Sequence, residues 1–281
     1  MITALNIEDY TRSGIYGLTN LFRHNRLRVE HLYCDTAAVK SLSYEHYRGK
    51  IGWASIDRFV KSQRNRVLCS EKVDLPEESG FTRYSSSALS RRMCENASIA
   101  LLRAIKRRDV KVALVDISGD SVGLCESLTE YADPVYVVTK AAELYIAQAE
   151  YLLSEKGAAL RVSRSAGCLK DADLIIAVSP LDAGLGCAGD CVILSAEKPI
   201  VRQSSPVIYD WFFELPKKYQ EIKPEYLSDM YFASALYDLA GARELGSELF
   251  TRCGDGTVIH TRMSLTELLS RRMERRDKAG L

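Results

Sequence analysis

The run Val112-Ala-Leu-Val-Asp-Ile117 is short, nearly all apolar and rich in β-branched residues, the pattern of a strand buried on both faces. The glycine-bearing turn Ser118 to Gly123 follows it, and then a helical stretch to about Tyr131. Val135 to Val138 predicts a second strand. After it come Thr139 and a long helix closed by Gly157, with Leu144, Ala147, Tyr151 and Leu152 on one face. Further strands are predicted at Ala159 to Val162, Leu174 to Val178, Cys191 to Ser195 and Val207 to Phe213. Strands alternating with helices at this spacing form parallel βαβ units, so the expected core is a doubly wound parallel sheet with helices on both faces.

Upstream the pattern changes. Leu27 to Cys34 and Arg66 to Ser70 predict strands with helical stretches between them, and Asp74 to Gly80, which holds Pro76, reads as a loop. From Ser87 to about Arg107 the residues Leu89, Met93, Ala97, Ala100, Leu101 and Ala104 recur at helical spacing, predicting an amphipathic helix. After Pro216 helices are predicted at Tyr226 to Leu239 and Ser264 to Arg275. Ser264-Leu-Thr-Glu267 has capping-box spacing at the start of the last one. The fold class expected is therefore α/β: a smaller α/β domain with its linking helix (1–106), a Rossmann-like domain (107–215) and a helical extension packing on it (216–281). A ligand is expected at the carboxyl ends of the parallel strands, in a cleft covered by the amino-terminal domain and the Pro180 to Gly189 loop.

Composition narrows the classes of partner. The 281 residues are 47% apolar and 27% charged, with 38 basic against 37 acidic side chains and a net charge of +1. That balance removes the bulk-charge argument for a nucleic-acid or membrane-surface partner. Met1 to Tyr10 holds Glu8 and Asp9 and lacks the basic start and apolar stretch of a secretory signal. Leu174 to Leu194 is broken by Asp182 and Asp190. Eight scattered cysteines read as reduced thiols rather than a disulfide framework. The expectation is a cytoplasmic protein with a small-molecule ligand, no nucleic-acid or membrane partner, and homo-oligomerisation left open.

A strand, a glycine turn and a helix start are the parts of a dinucleotide site, because free amides and the positive helix end attract a pyrophosphate. With the third glycine of the usual Gly-x-Gly-x-x-Gly spacing on Gly123, Ser118 and Asp120 stand at the first two positions. Asp120 then has two readings. It is either an N-cap accepting the amides of Val122 or Gly123, or part of an altered phosphate loop in which Gly119 allows close approach. At the end of the second strand, Thr139 and Lys140 stand where an NAD site places an acidic residue. A hydroxyl and a cation suit the 2′-phosphate of NADP; the plainer reading has Thr139 capping the next helix and Lys140 solvated.

The stretch from Val112 to Pro180, with Val-Val-Thr-Lys140 after the second strand and Asp171-Ala-Asp-Leu-Ile-Ile-Ala-Val-Ser-Pro180 into the fourth, resembles the NADP-binding domain of the shikimate dehydrogenase and glutamyl-tRNA reductase group. Ser204 to Pro216 resembles the late strand and proline of shikimate dehydrogenases. The resemblance covers roughly a hundred residues at superfamily level. It implies an NAD(P)-dependent oxidoreductase acting on a small metabolite. Ser118, Gly119, Asp120, Ser121, Val122, Gly123, Thr139, Lys140 and Ser179 would face the cofactor, NADP by preference. The competing expectation is a non-catalytic Rossmann-like ligand-sensing or interaction protein that has lost dinucleotide binding.

Other candidate chemistry is sparse. The lysine segment of shikimate dehydrogenases has no match, and Cys34-Asp-Thr36 lacks the arginine that follows the cysteine nucleophile in glutamyl-tRNA reductases. His31 and Cys34 are three apart on a predicted strand and point to opposite faces. Cys187 and Cys191 have no nearby histidine, so no metal is expected. Cys187 remains a candidate redox or ligand-facing thiol. His24, His46 and His260 belong to no triad motif, and Tyr209 to Phe213 reads as an aromatic core strand. The basic group Arg271, Arg272, Arg275, Arg276 and Lys278 reads as a solvated helix end.

Overall fold

A computed structural model describes residues 1–11, 22–247 and 250–279. In chain order it contains β1 (Ile2–Asp9), β2 (Arg26–Cys34), β3 (Ala37–His46), α1 (Trp53–Val60), α2 (Ala88–Ile105), β4 (Val112–Val115), α3 (Leu124–Tyr131), β5 (Val135–Val138), α4 (Ala142–Lys156) and β6 (Leu160–Ser163). There follow β7 (Leu174–Ala177), β8 (Val192–Ser195), β9 (Val207–Ile208), β10 (Asp210–Phe212), α5 (Lys217–Gln220), α6 (Asp229–Leu239), β11 (Arg252–Gly254), β12 (Ile259–His260) and α7 (Arg262–Ala279). No described helix is long and apolar enough to cross a membrane.

The chain forms two units, one of Met1–Leu89 with Glu214–Gly246, the other of Ser90–Phe213 with Ser247–Leu281. This division differs from the expected boundaries. It falls in the first turn of α2 rather than near residue 106, and the stretch 216–281 is shared between the units instead of packing as one extension.

The first unit is α/β. Its sheet runs β1-β3-β2, with β1 parallel and β2 antiparallel to β3. The β2 strand was legible in the sequence. The helical stretch expected after it is instead β3, and Arg66 to Ser70 contributes only isolated bridges at Val67 and Leu68. In β3, Ser41, Glu45 and His46 are buried among the apolar positions. That breaks the alternation by which a half-buried strand is recognised. Leu5, Leu42, Tyr44, Ile56, Val60, Val67, Val73 and Phe81 form its core.

The main sheet of the second unit has six strands, all parallel, in the order β6-β5-β4-β7-β8-β9. Renumbered within the sheet this is 3-2-1-4-5-6, the doubly wound Rossmann-type order, whose switch point lies between β4 and β7. β4, β7 and β8 are buried along their whole length, as the apolar runs of β4 and β7 and of residues 192–194 require, and Ser195 at the end of β8 is buried with them. Predicted strands are matched to within two residues, except that Val207 to Phe213 divides. Val207–Ile208 closes the parallel sheet and Asp210–Phe212 opens an antiparallel three-stranded one with β11 and β12.

One face of the parallel sheet departs from expectation. Ala113, Val115, Ile175, Ala177, Ile193 and Val207 on that face pack against Leu169, Ala172, Leu181 and Leu185, with Cys168 and Cys187 at the margin. Those partners belong to a short 3₁₀ turn (Ala166–Leu169) and to the loops around it. Among the described residues the cluster draws on no α-helix.

Helix α4 also presents a different side from the one expected. Ala142, Tyr145 and Leu152 are buried, while Leu144 and Tyr151 are half exposed. Helix α7 starts two residues early. Thr261 Oγ1 accepts the Ser264 N–H at 3.3 Å and Ser264 Oγ accepts the Thr261 N–H at 2.9 Å, so the reciprocal cap is Thr261/Ser264 and not Ser264/Glu267.

Candidate functional site

The parallel strands deliver the expected residues to one edge. The Lys140 N–H donates to the Ile117 carbonyl at 3.3 Å, and Ser179 Oγ accepts the Ile117 N–H at 2.8 Å. The ends of β4, β5 and β7 thus bring Ser118 to Gly123, Thr139, Lys140 and Ser179 together, as their places in the sheet predicted.

The organising residue of this edge is one the sequence reading left inside a strand. Asp116, wholly buried, follows β4 directly and points its carboxylate back into the turn. Its Oδ1 accepts the Gly119 N–H at 3.0 Å. Its Oδ2 accepts the Ser121 N–H at 2.7 Å and the Tyr145 hydroxyl at 2.6 Å. Burial and the bond to Asp116 push the Tyr145 phenol far up. Ser121 Oγ donates onward to Glu95 Oε1 at 2.6 Å, which ties α2 to the same turn. The Ser118 hydroxyl lies 3.3 Å from Oδ1 as a fourth donor, and a buried carboxylate so surrounded is a satisfied polar centre. It occupies turn amides from which a pyrophosphate would otherwise be hung.

Asp120 does not cap α3. Its carboxylate accepts the Ser118 hydroxyl at 2.7 Å and pairs with Arg91 at 2.9 Å, and those two contacts hold its acid below the usual carboxylate range. The first residues of α3 instead use backbone acceptors, Leu124 N–H to the Ser121 carbonyl and Cys125 N–H to that of Val122. Among the described residues the Val122 and Gly123 amides have no hydrogen-bond partner. Gly119 lies against the start of α4. At φ +84° an added Cβ would lie 2.9 Å from Leu144 Cδ1 and 3.0 Å from Ala141 Cβ, so its bareness accommodates the start of α4. Thr139 is buried and accepts the Ala141 N–H at 3.0 Å in the turn ahead of α4, whose N-cap is Ala141 with no side-chain cap, so the capping reading of Thr139 does not hold. Lys140 is exposed.

At the opposite, amino end of the strands, α7 is anchored by buried charge. Asp173 is wholly buried and accepts the Lys111 N–H at 3.0 Å; Arg276 pairs with it, and Arg272 Nε lies 3.4 Å away. Arg276 also binds the Asp109 carbonyl at 2.8 Å, and Arg272 binds Asp190 at 2.9 Å. The solvated-end reading therefore fails for Arg272 and Arg276, which lie on the stripe Leu265, Leu269, Met273, and holds for exposed Arg271.

Cys34 is half-buried at the end of β2, 3.9 Å from Thr36 Oγ1. Among the described residues no three His, Cys, Asp or Glu side chains are grouped as ligands for a metal ion.

No family model and no curated protein matches the chain. Solved structures do. L-tryptophan dehydrogenase from Nostoc punctiforme is 11% identical over 85% of this chain and 77% of its own, at a TM-score of 0.32. Ornithine carbamoyltransferase from Pyrococcus furiosus is 12% identical over 92% and 85%, at 0.31. A probable ornithine cyclodeaminase from Bordetella pertussis Tohama I is 15% identical over 41% of this chain and only 39% of its own length, at 0.28. At such values the likeness adds nothing to the strand order, on which the fold class rests.

Proposed function

We propose that this chain is a non-catalytic ligand-sensing or interaction protein on a Rossmann-like sheet, in which the turn that would hold a dinucleotide is closed by the protein's own carboxylate. The observation that carries this reading is Asp116. With the Gly119 and Ser121 amides and the Tyr145 hydroxyl on its oxygens, a diphosphate would have to displace a wholly buried acid or approach its charge. The ligand expected at this edge is a small cytosolic molecule that uses exposed Ser118, Asp120 and Lys140, and Asp120 selects against added negative charge. Isothermal titration with NADP and NAD tests it: neither should bind saturably at millimolar concentration.

A second reading is favoured by Lys140, an exposed cation at the end of β5 with no acidic residue beside it. In that reading the chain is an NADP-dependent oxidoreductase akin to the shikimate dehydrogenase group, with the 2′-phosphate held by Lys140 and the pyrophosphate by the Val122 and Gly123 amides. The same titration separates the two. Saturable NADP binding, tighter than NAD and weakened in Lys140→Ala, establishes the second reading and removes the first.

A further inference from the structure

Positions 268, 271, 272 and 275 of α7 follow the spacing of one helix face, and a face that lies over a sheet usually carries apolar side chains. Here it carries Leu268 and three arginines, Arg271, Arg272 and Arg275. Together with Val192 of β8 and Ile208 of β9, both buried, they line a cavity of about 260 Å³. Ile193 and Val207 pack on the loop-covered face of the parallel sheet. Side chains alternate along a strand, so Val192 and Ile208 point to the other face and form the apolar floor of this cavity. All of its walls belong to the second unit.

The three arginines differ in how far the protein itself uses them. Arg272 is 8% exposed; its Nη1 donates to Asp190 at 2.9 Å, and its Nε lies 3.4 Å from Asp173 without a hydrogen bond. Among the described residues its Nη2 makes no hydrogen bond. Arg275 reaches Asp190 at 3.3 Å and Arg271 reaches Glu267 at 3.6 Å, and both side chains are about two-thirds exposed. Exposed pairs of that length contribute little, which leaves these two guanidiniums available to another anion. Against three cations, Asp190 is the one carboxylate among the described residues that line the cavity.

From this arrangement we propose that the cavity binds a small apolar carboxylate, its body on Val192, Ile208 and Leu268 and its anion on Arg272, Arg275 and Arg271. The planar guanidinium fork matches the two oxygens of a carboxylate, and the added charge offsets the excess of cations around Asp190. Sites for drug-sized ligands run from about 300 to 1,000 Å³, so a cavity of about 260 Å³ takes a single-ring or branched-chain acid and excludes a dinucleotide. An anion without an apolar body leaves the floor wet, and a neutral body leaves the arginines uncompensated. The site adjoins Asp190, just ahead of β8, whereas Ser118 and Lys140 follow β4 and β5. It therefore stands apart from the ligand edge proposed above.

The test is isothermal titration of the full-length chain with benzoate at pH 7. Benzoate should bind saturably, about ten-fold or more tighter than benzamide, which has its shape without the charge, and than acetate, which has the charge without the ring. Arg271→Gln and Arg275→Gln, at exposed positions, should each weaken benzoate several-fold with an unchanged circular dichroism spectrum. On the wild-type chain, benzoate should slow phenylglyoxal modification of Arg275 several-fold, read by mass spectrometry, a result that needs no variant to fold. No saturable binding, equal binding of benzoate and benzamide, full affinity in both glutamine variants, or unprotected Arg275 would overturn the assignment. So would loss of benzoate binding in Lys140→Ala, which would put the anion at the other end of the sheet.

Discussion

Removing the Asp116 carboxylate leaves the Gly119 and Ser121 amides and the Tyr145 hydroxyl without their acceptor in a closed site. Each buried donor left unpaired costs about 1–3 kcal/mol, so Asp116→Ala should lower unfolding free energy by about 3 kcal/mol or more in urea titration. Tyr145→Phe, which removes one donor and leaves the others paired, should cost about 1–2 kcal/mol. A loss below 1 kcal/mol in Asp116→Ala would show that water replaces the carboxylate. A second residue-scale prediction concerns Glu244. The Tyr219 hydroxyl at 2.5 Å, then Lys218 at 2.9 Å, lower its acid from 4.5 to about 2. A carboxyl depressed by folding stabilises above its unfolded value and loses that contribution as pH falls through the folded one. Glu244→Gln should therefore flatten the pH dependence of unfolding between about pH 4.5 and 2, followed by the fluorescence of Trp53 in the same unit. Asp116 was itself legible as an acid interrupting an apolar strand ahead of Ser-Gly-Asp-Ser. What could not be read from one chain position was its partner: Tyr145 lies 29 residues on, and a hydrogen bond at that separation leaves no local pattern.

Helix α7 is held to the sheet as an element by two arginines rather than by its apolar stripe alone. Among the described residues, Arg276→Met would leave buried Asp173 with the Lys111 amide and Arg272 Nε, 3.4 Å away, as its compensation. Breaking one side of a buried pair typically costs about 3–5 kcal/mol, and loss of that order is expected in chemical denaturation. The double variant Asp173→Asn/Arg276→Met should recover part of it. If Arg276→Met alone costs under 1 kcal/mol, the pair does not anchor the helix. The positions were visible in advance, since residues 265, 269, 272, 273 and 276 share one face of a 3.6-residue helix. Composition concealed them, because a run of arginines normally faces water. The same principle separates elements read well from those missed. β4 and β7 are continuous apolar runs and β8 is one up to its terminal Ser195, whereas β3 buries Ser41, Glu45 and His46, and the two-residue β9 and β12 are too short to show any period.

At the scale of the whole molecule, each unit is made of two separated segments. The first needs Glu214–Gly246: the Tyr84 hydroxyl donates to the Ser234 carbonyl at 2.9 Å, and Thr36 and Tyr219 share a hydrogen bond of 3.0 Å. A fragment of residues 1–89 should lack cooperative thermal unfolding, measured by circular dichroism, and should gain it when a peptide of residues 214–246 is added. A fragment that unfolds cooperatively alone would show that the later segment is ornament. Boundaries of this kind are invisible to composition and spacing, because nothing local marks a stretch as belonging with residues more than a hundred positions earlier.

The interleaving also has a consequence for synthesis. A ribosome releases the chain in order, so the first unit waits for Tyr219 and Ser234, the partners of Thr36 and Tyr84, until its second segment has left the exit tunnel. The parallel sheet, although all its strands are out by then, still lacks α7 and its arginines. At roughly 5–20 residues per second, the interval between the emergence of residue 89 and that of residue 246 is about 8–30 seconds. During that interval the nascent chain offers holding chaperones two unfinished cores at once.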